Sequence, residues 1–140
     1  FGGYIGNSQL KTAMTLRSPI INIRDIKKGE KVGYDGRAIA SKDMKIATVY
    51  MGYADGLPNN INDETIVKIN NQDAKVFGKV SMDVTTVDVT NIKNCKIEDW
   101  CVFFSPKHSI NNLASSNELI SYDLMIRIKS RVKRSYKNLV

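Results

Sequence analysis

Three short stretches set a potentially reactive side chain beside glycine. In Gly33-Tyr34-Asp35-Gly36 a phenol lies between two glycines. "MGYADGLP", residues 51 to 58, repeats the pairing, with Tyr53 after Gly52 and an Asp-Gly turn behind it. In "GKVSMDV", residues 78 to 84, an apolar run entered through a glycine ends at Met82 and Asp83. A phenol can donate to an anion or exchange a proton. Its ordinary pKa of about 10 means that it works as a base near neutrality only beside a cation or a proton acceptor. Glycine lets backbone come close to a ligand. The same residues also suit plain structure: Asp35-Gly36 closes a tight hairpin, and a strand ending in Met-Asp is core followed by a capping acid. Pattern alone leaves both readings open.

Other chemistries find little material. Cys95 and Cys101 are six residues apart, not a C-x-x-C spacing, and His108 is the only histidine, which is too few soft ligands for a tetrahedral metal site. They read as reduced, half-buried strand cysteines of a cytoplasmic protein. P-loop, G-x-S-x-G, H-E-x-x-H and EF-hand patterns are missing. The net charge of +7 invites a polyanion, yet the positives are spread out and the one dense run is "RIKSRVKRSYK", residues 127 to 137. No run approaches the ~18 apolar residues of a membrane helix. No leader pattern argues for secretion. The first residue is Phe1 rather than Met, so a fragment or processed chain is expected, with 140 residues forming one domain.

The elements that would position these residues are mostly strands. "AMTLRSPIINIRDI", residues 13 to 26, is β-branched and partly alternating, bent or broken at Pro19. "KVGY" opens a second strand. "KIATVYMGY", residues 45 to 53, is apolar on both faces and reads as a buried central strand. "ETIVKIN", then "AKVFGKVSMD" and "VTTVDV", then "WCVFF" follow as further strands, with "ADGLPNNIND" as a loop and "NNQD" as a turn. Strands at such short intervals predict a mainly β fold, a β-barrel or sandwich. One amphipathic helix is expected near the C-terminus. Ser115 and Glu118 form its capping box, and Leu119, Tyr122, Leu124, Met125, Ile126 and Ile128 its apolar face. "RVKRSY" predicts a closing strand.

Taken together and in order, "KVGYDGRAI", "IATVYMGYADGLP", "VFGKVSMDVTTVDVT" and "ISYDL…SRVKRSY" resemble the C-terminal domain of bacterial alanine racemases. That family shows V-x-Y-G, then G-Y-A-D-G, then G-R-[VI]-x-M-D, then a helix with S-Y-E or N-Y-E and a closing R-V-x-R-x-Y. The resemblance runs from about Met14 nearly to the end. It implies a dimeric enzyme whose N-terminal (β/α)8 barrel, absent from this chain, carries pyridoxal 5'-phosphate on a lysine. The mainly β C-terminal domain reaches into the partner subunit's active site.

The resemblance also implies roles. Racemisation removes the α-proton from one face and returns one to the other, and the cofactor spreads the charge that proton removal leaves, so one base on each face is enough. The tyrosine of V-x-Y-G, here Tyr34, would be the base for L-alanine. Met82 would offer its backbone N–H to the substrate carboxylate. Tyr53 and Asp83 would line the substrate entrance. Tyr122 would donate to the cofactor phosphate, although its place on an apolar helix face taken alone favours a core tyrosine. His108 does not match the histidine that the family supplies from its barrel. Three positions depart from the pattern: Asn59 where an arginine is usual, Gly78-Lys79 for Gly-Arg, and Asp35 directly after the tyrosine. The implied reaction is interconversion of L- and D-alanine for peptidoglycan precursors, by a fragment inactive on its own. The alternatives are a serine or broad-specificity amino-acid racemase, and a non-enzymatic basic β-barrel binding module.

Overall fold

The computed structural model describes residues 12–137. Among these described residues eight strands and two short helices follow in chain order: β1 Leu16–Ile26, β2 Lys31–Val32, β3 Ala38–Ile39, β4 Met44–Val49, β5 Ile66–Ile69, β6 Gln72–Val76, β7 Thr85–Asp88, β8 Trp100–Phe104, α1 Ile110–Ser115 and α2 Ser121–Arg127. Six strands close into an antiparallel barrel in the order β1-β4-β7-β6-β5-β8, while β2 and β3 form a separate hairpin. The mainly β barrel fold expected from the sequence is the one observed.

Strand β1 closes the barrel by serving two neighbours. Its first residues pair with β8, with Pro19 opposite Trp100, and its later ones pair with β4. The register slips between Ile20 and Asn22, where the strand passes from one neighbour to the other. Pro19 has no N–H to give, and its carbonyl accepts Tyr50 N–H at 3.0 Å. Strand β1 runs unbroken through this proline, which stands just before the register slip where the strand changes neighbours.

The two-faced apolarity of β4 has a specific cause. Ala47 and Val49 enter the barrel core with Ile20, Val67, Ile69, Val76, Val87 and Phe103. Ile46 faces outward into a second cluster with Ile26, Val32, Ala40 and Met44, beneath the β2–β3 hairpin. Burying a side chain such as Ile46 stabilises by about 1.5–3 kcal/mol. That outer cluster fixes on the barrel wall the hairpin that carries Tyr34.

Local expectations fared unevenly. The Asn70-Asn71 turn has both residues at positive φ, as a two-residue hairpin between Ile69 and Gln72 requires. The strand expected over residues 74–83 stops at Val76. Beyond it Gly78 turns at φ +87, its N–H goes to Asp63 Oδ1 at 3.1 Å, and Ser81 N–H closes a turn on Val84 O at 3.0 Å. Residues 131–136 form no strand. The barrel is already closed and offers them no edge to join.

The single expected helix is two helices. Ser115 does not cap the start of a helix; it is the last residue of α1, and Ser109 caps that helix by accepting Asn111 N–H at 3.1 Å. Glu118 stands at φ +56 between the helices. The buried Asn117 does the work there: its Nδ2 donates to Leu113 O and Thr65 Oγ1, both at 2.8 Å, and its Oδ1 accepts Asn62 N–H at 2.8 Å. This pins the 62–65 loop, from which Asp63 reaches Gly78.

Cys101 lies on β8 and is buried; Cys95 is half-buried in the preceding loop rather than on a strand, and neither is in a disulfide. Burial pushes both thiols upward, with the Asp99 carboxylate adding to the effect at Cys95. A thiolate-selective reagent should therefore label Cys95 slowly in the native chain and Cys101 only as the chain unfolds in denaturant. Native labelling of Cys101 at the rate of a free thiol would contradict its place in the core.

Candidate functional site

Segment 78–83 is where the three glycine-flanked stretches meet. Gly33 sits so close to it that a Cβ there would lie 2.8 Å from Lys79 N, and Tyr34 N–H points to Lys79 O at 3.5 Å. Gly33 also has φ +81, so it is glycine for two reasons. Tyr34 opens the connection between β2 and β3, where Asp35 and Gly36 both stand at positive φ as an Asp-Gly turn requires, but the loop from Gly33 to Arg37 is longer than a tight two-residue hairpin. Tyr34 is 57% exposed, and Lys79 Nζ stands 5.7 Å from its ring centroid. The charge over Tyr34 is thus a cation, worth about 0.5–1 kcal/mol of attraction at an exposed site.

The second stretch lies against the far end of the same segment. Tyr53 N–H bonds Ser81 O at 3.0 Å and Ala54 N–H bonds Met82 O at 2.9 Å. A Cβ on Gly52 would collide with both of those carbonyl oxygens. On its other side the loop meets the end of α2, where a Cβ on Gly56 would strike Arg127 O, and Lys129 N–H bonds Asp55 O at 3.0 Å. "GYADG" is therefore threaded between segment 81–82 and the exit of α2, with a glycine at each squeeze.

The structure thus brings Tyr34, Tyr53, Met82 and Asp83 onto one short rail, from chain positions far apart. Tyr53 and Met82 are 39% and 54% exposed. The Met82 carbonyl is taken by Ala54, whereas its N–H has no acceptor among the described residues. Tyr122, 48% exposed, is on α2, the helix whose far end meets Gly56. Asn59 lines an open groove of about 400 Å³ with Arg37, Asp63 and Lys79. His108 is buried, with Nε2 3.0 Å from Ile66 O, and serves the β5 side of the barrel.

One residue that the sequence reading passed over joins two of the stretches. Arg131 Nε lies 2.9 Å from Asp55 Oδ1, and its Nη2 lies 2.8 Å from Asp83 Oδ1. The only signal for it was its place in the closing R-V-x-R-x-Y pattern. The basic run 127–137 is partly consumed by such pairing: Arg127 bonds Asp123 at 3.1 Å, and Arg134 reaches carbonyls of residues 128, 129 and 132. Among the described residues no helix is long and apolar enough to cross a membrane, and no cluster of His, Cys, Asp and Glu could hold a metal ion.

Comparison with known proteins gives a consistent picture. Residues 13–136 match the family model described as "Alanine racemase, C-terminal domain". The chain is 40% identical over 144 residues to an alanine racemase of Alteromonas mediterranea, covering 99% of this chain and 40% of that protein. The crystal structure of the biosynthetic alanine racemase of Pseudomonas aeruginosa superimposes with a TM-score of 0.89 at 32% identity, over 93% of this chain and 36% of that one. An alanine racemase of Bartonella henselae, solved with covalently bound pyridoxal phosphate, gives 0.83 at 25% identity, over 88% of this chain and 34% of that one. The chain therefore spans well under half the length of these relatives.

Proposed function

Because this chain belongs to the alanine racemase C-terminal domain family, we propose that it is that part of a longer, pyridoxal-phosphate-dependent alanine racemase, with Tyr34 as the base for L-alanine. The observation that carries the reading is the convergence on segment 78–83. Three stretches spread over some fifty residues deliver a cation-flanked phenol, a second phenol, a backbone N–H without an acceptor among the described residues and a carboxylate to one rail.

The donors present fit the cofactor's anionic end. Tyr122 is half-exposed on α2, and a phenolic O–H suits a phosphate oxygen, so Tyr122 would hold that group. When bound, pyridoxal phosphate supplies the electron sink that makes an amino acid's α-proton removable. Tyr34 Oη takes that proton from L-alanine and, in the reverse direction, gives one back to the same face. The Met82 N–H receives the substrate carboxylate. Tyr53 and Asp83 line the approach to it. Lys79 holds the Tyr34 ring in place, as its ammonium over the π-face allows.

Half-exposed Tyr34, Tyr53, Met82 and Tyr122 are also what a face completed by other polypeptide would leave on this domain alone. The rest of the active site, including the cofactor lysine, comes from an N-terminal barrel and a second subunit of a homodimer. The fragment by itself is inactive. Its product, D-alanine, is a peptidoglycan precursor, made in the cytoplasm. The reading is tested with Tyr34→Phe in the full-length polypeptide: racemisation lost supports it, and racemisation untouched in both directions refutes it.

A further inference from the structure

Arg131 is held where a guanidinium, and no other side chain, can serve two masters. It lies in the turn after α2, closed by Val132 N–H on Lys129 O at 3.2 Å. Its Nε takes Asp55 of the Tyr53 loop, and its Nη2 takes Asp83, the neighbour of Met82. Asp55 is nearly buried, and its second oxygen accepts Gly52 N–H at 2.8 Å. An unbroken path thus runs from Gly52 N–H through Asp55 and Arg131 to Asp83. Asp83 and Arg131 are each nearly half-exposed, so one such pair alone adds little stability, about 0–1 kcal/mol. What the fork adds is registration between two loops. A lysine at this position would be a point charge on a flexible stem and could not hold both acids in fixed geometry.

Resting on the reading of Met82 given above, we infer that Arg131 is a positioning residue: it fixes Asp83, and with it the Met82 N–H, against the Tyr53 loop, and so sets how well the substrate carboxylate is received. A loosened carboxylate site weakens ground state and transition state together, which raises KM while leaving kcat nearly alone. A displacement near 1 Å costs up to about a hundredfold.

The test uses the full-length enzyme and steady-state racemisation of L- and D-alanine. Arg131→Gln should lower kcat/KM about ten- to a hundredfold, nearly all of it in KM. Arg131→Lys, which keeps the charge and loses the fork, should show a raised KM at an unchanged melting temperature. It carries the test alone if Arg131→Gln does not fold. Adding Asp83→Asn to Arg131→Gln should change KM little further, because both act through one contact. The inference is overturned if Arg131→Gln leaves KM unmoved, if Arg131→Lys has the parent's KM, or if the Arg131 and Asp83 effects simply add. Tyr34→Phe is assayed alongside. If it is inactive while the Arg131 variants keep their KM, only this inference fails; if it is fully active, the reading beneath fails and takes this one with it.

Discussion

Full-length protein carrying Tyr34→Phe should lose exchange of the L-alanine α-proton with deuterated solvent while still exchanging that of D-alanine. The substitution removes one oxygen and leaves nearly everything else. Tyr34 is more than half exposed, so no core is disturbed, and Lys79 can stand over a phenyl ring as it does over a phenol. The contacts that place the residue come from the backbone of Gly33 and Tyr34, which the change does not touch. What disappears is the group proposed to carry the proton on one face of the α-carbon. A positioned acid or base contributes about 10²–10⁴-fold, so L-alanine exchange should fall by that order. Net racemisation should fall equally in both directions, since on the proposed reading each would use Tyr34 once, as acceptor or as donor. On the proposed reading D-alanine exchange should survive, because the base for that enantiomer would stand on the opposite face and come from outside this chain. Equal loss of exchange for the two enantiomers would place Tyr34 in substrate binding rather than proton transfer. An unchanged L-alanine exchange rate would remove it from the chemistry altogether.

The parts of this molecule that were legible in the sequence are those fixed by local pattern. "WCVFF" is β8 from Trp100 to Phe104, because a short apolar run bounded by turns has few other uses. The apolarity of β4 on both faces correctly signalled a strand covered twice, though not that its second cover is the hairpin bearing Tyr34. Where the reading failed, a residue type served the opposite end of an element. Ser-Ser-Asn-Glu reads as the start of a helix, but Ser115 closes α1, its hydroxyl donating back to Asn111 O, and Asn117 caps the break through contacts to Thr65 and Asn62. No local pattern could reveal partners more than fifty positions away. The same holds for Arg131, whose two acids lie far upstream in separate motifs. The glycines of "GYADG" were visible as turn residues; that they mark close approaches to two other segments was not.

That difference predicts the largest effect on the fold. Gly52→Ala should destabilise this chain far more than Gly29→Ala, although both replace a loop glycine with the same methyl group. At Gly29 the new Cβ meets nothing within 4 Å, and the cost is only that of holding alanine at φ +89, about 1–2 kcal/mol. At Gly52 φ is not in the left-handed region, so that cost is absent. Instead the methyl drives into the carbonyl oxygens of Ser81 and Met82, which are backbone atoms and cannot turn aside as a side chain would. Those are the same oxygens that accept Tyr53 and Ala54 N–H, so relieving the clash pulls apart both hydrogen bonds. Overpacking of this kind costs about 1–3 kcal/mol, and two backbone bonds add about 0.5–1.5 kcal/mol each. The sum, about 2–6 kcal/mol, is a large share of the 5–15 kcal/mol typical of a domain. Urea unfolding should show it as a lower midpoint at unchanged m-value. If Gly52→Ala unfolds no earlier than Gly29→Ala, the loop is not pressed against segment 81–82. The rail that unites Tyr53, Met82 and Asp83 would then lose its structural basis, whatever the kinetics of the Tyr34 variant show.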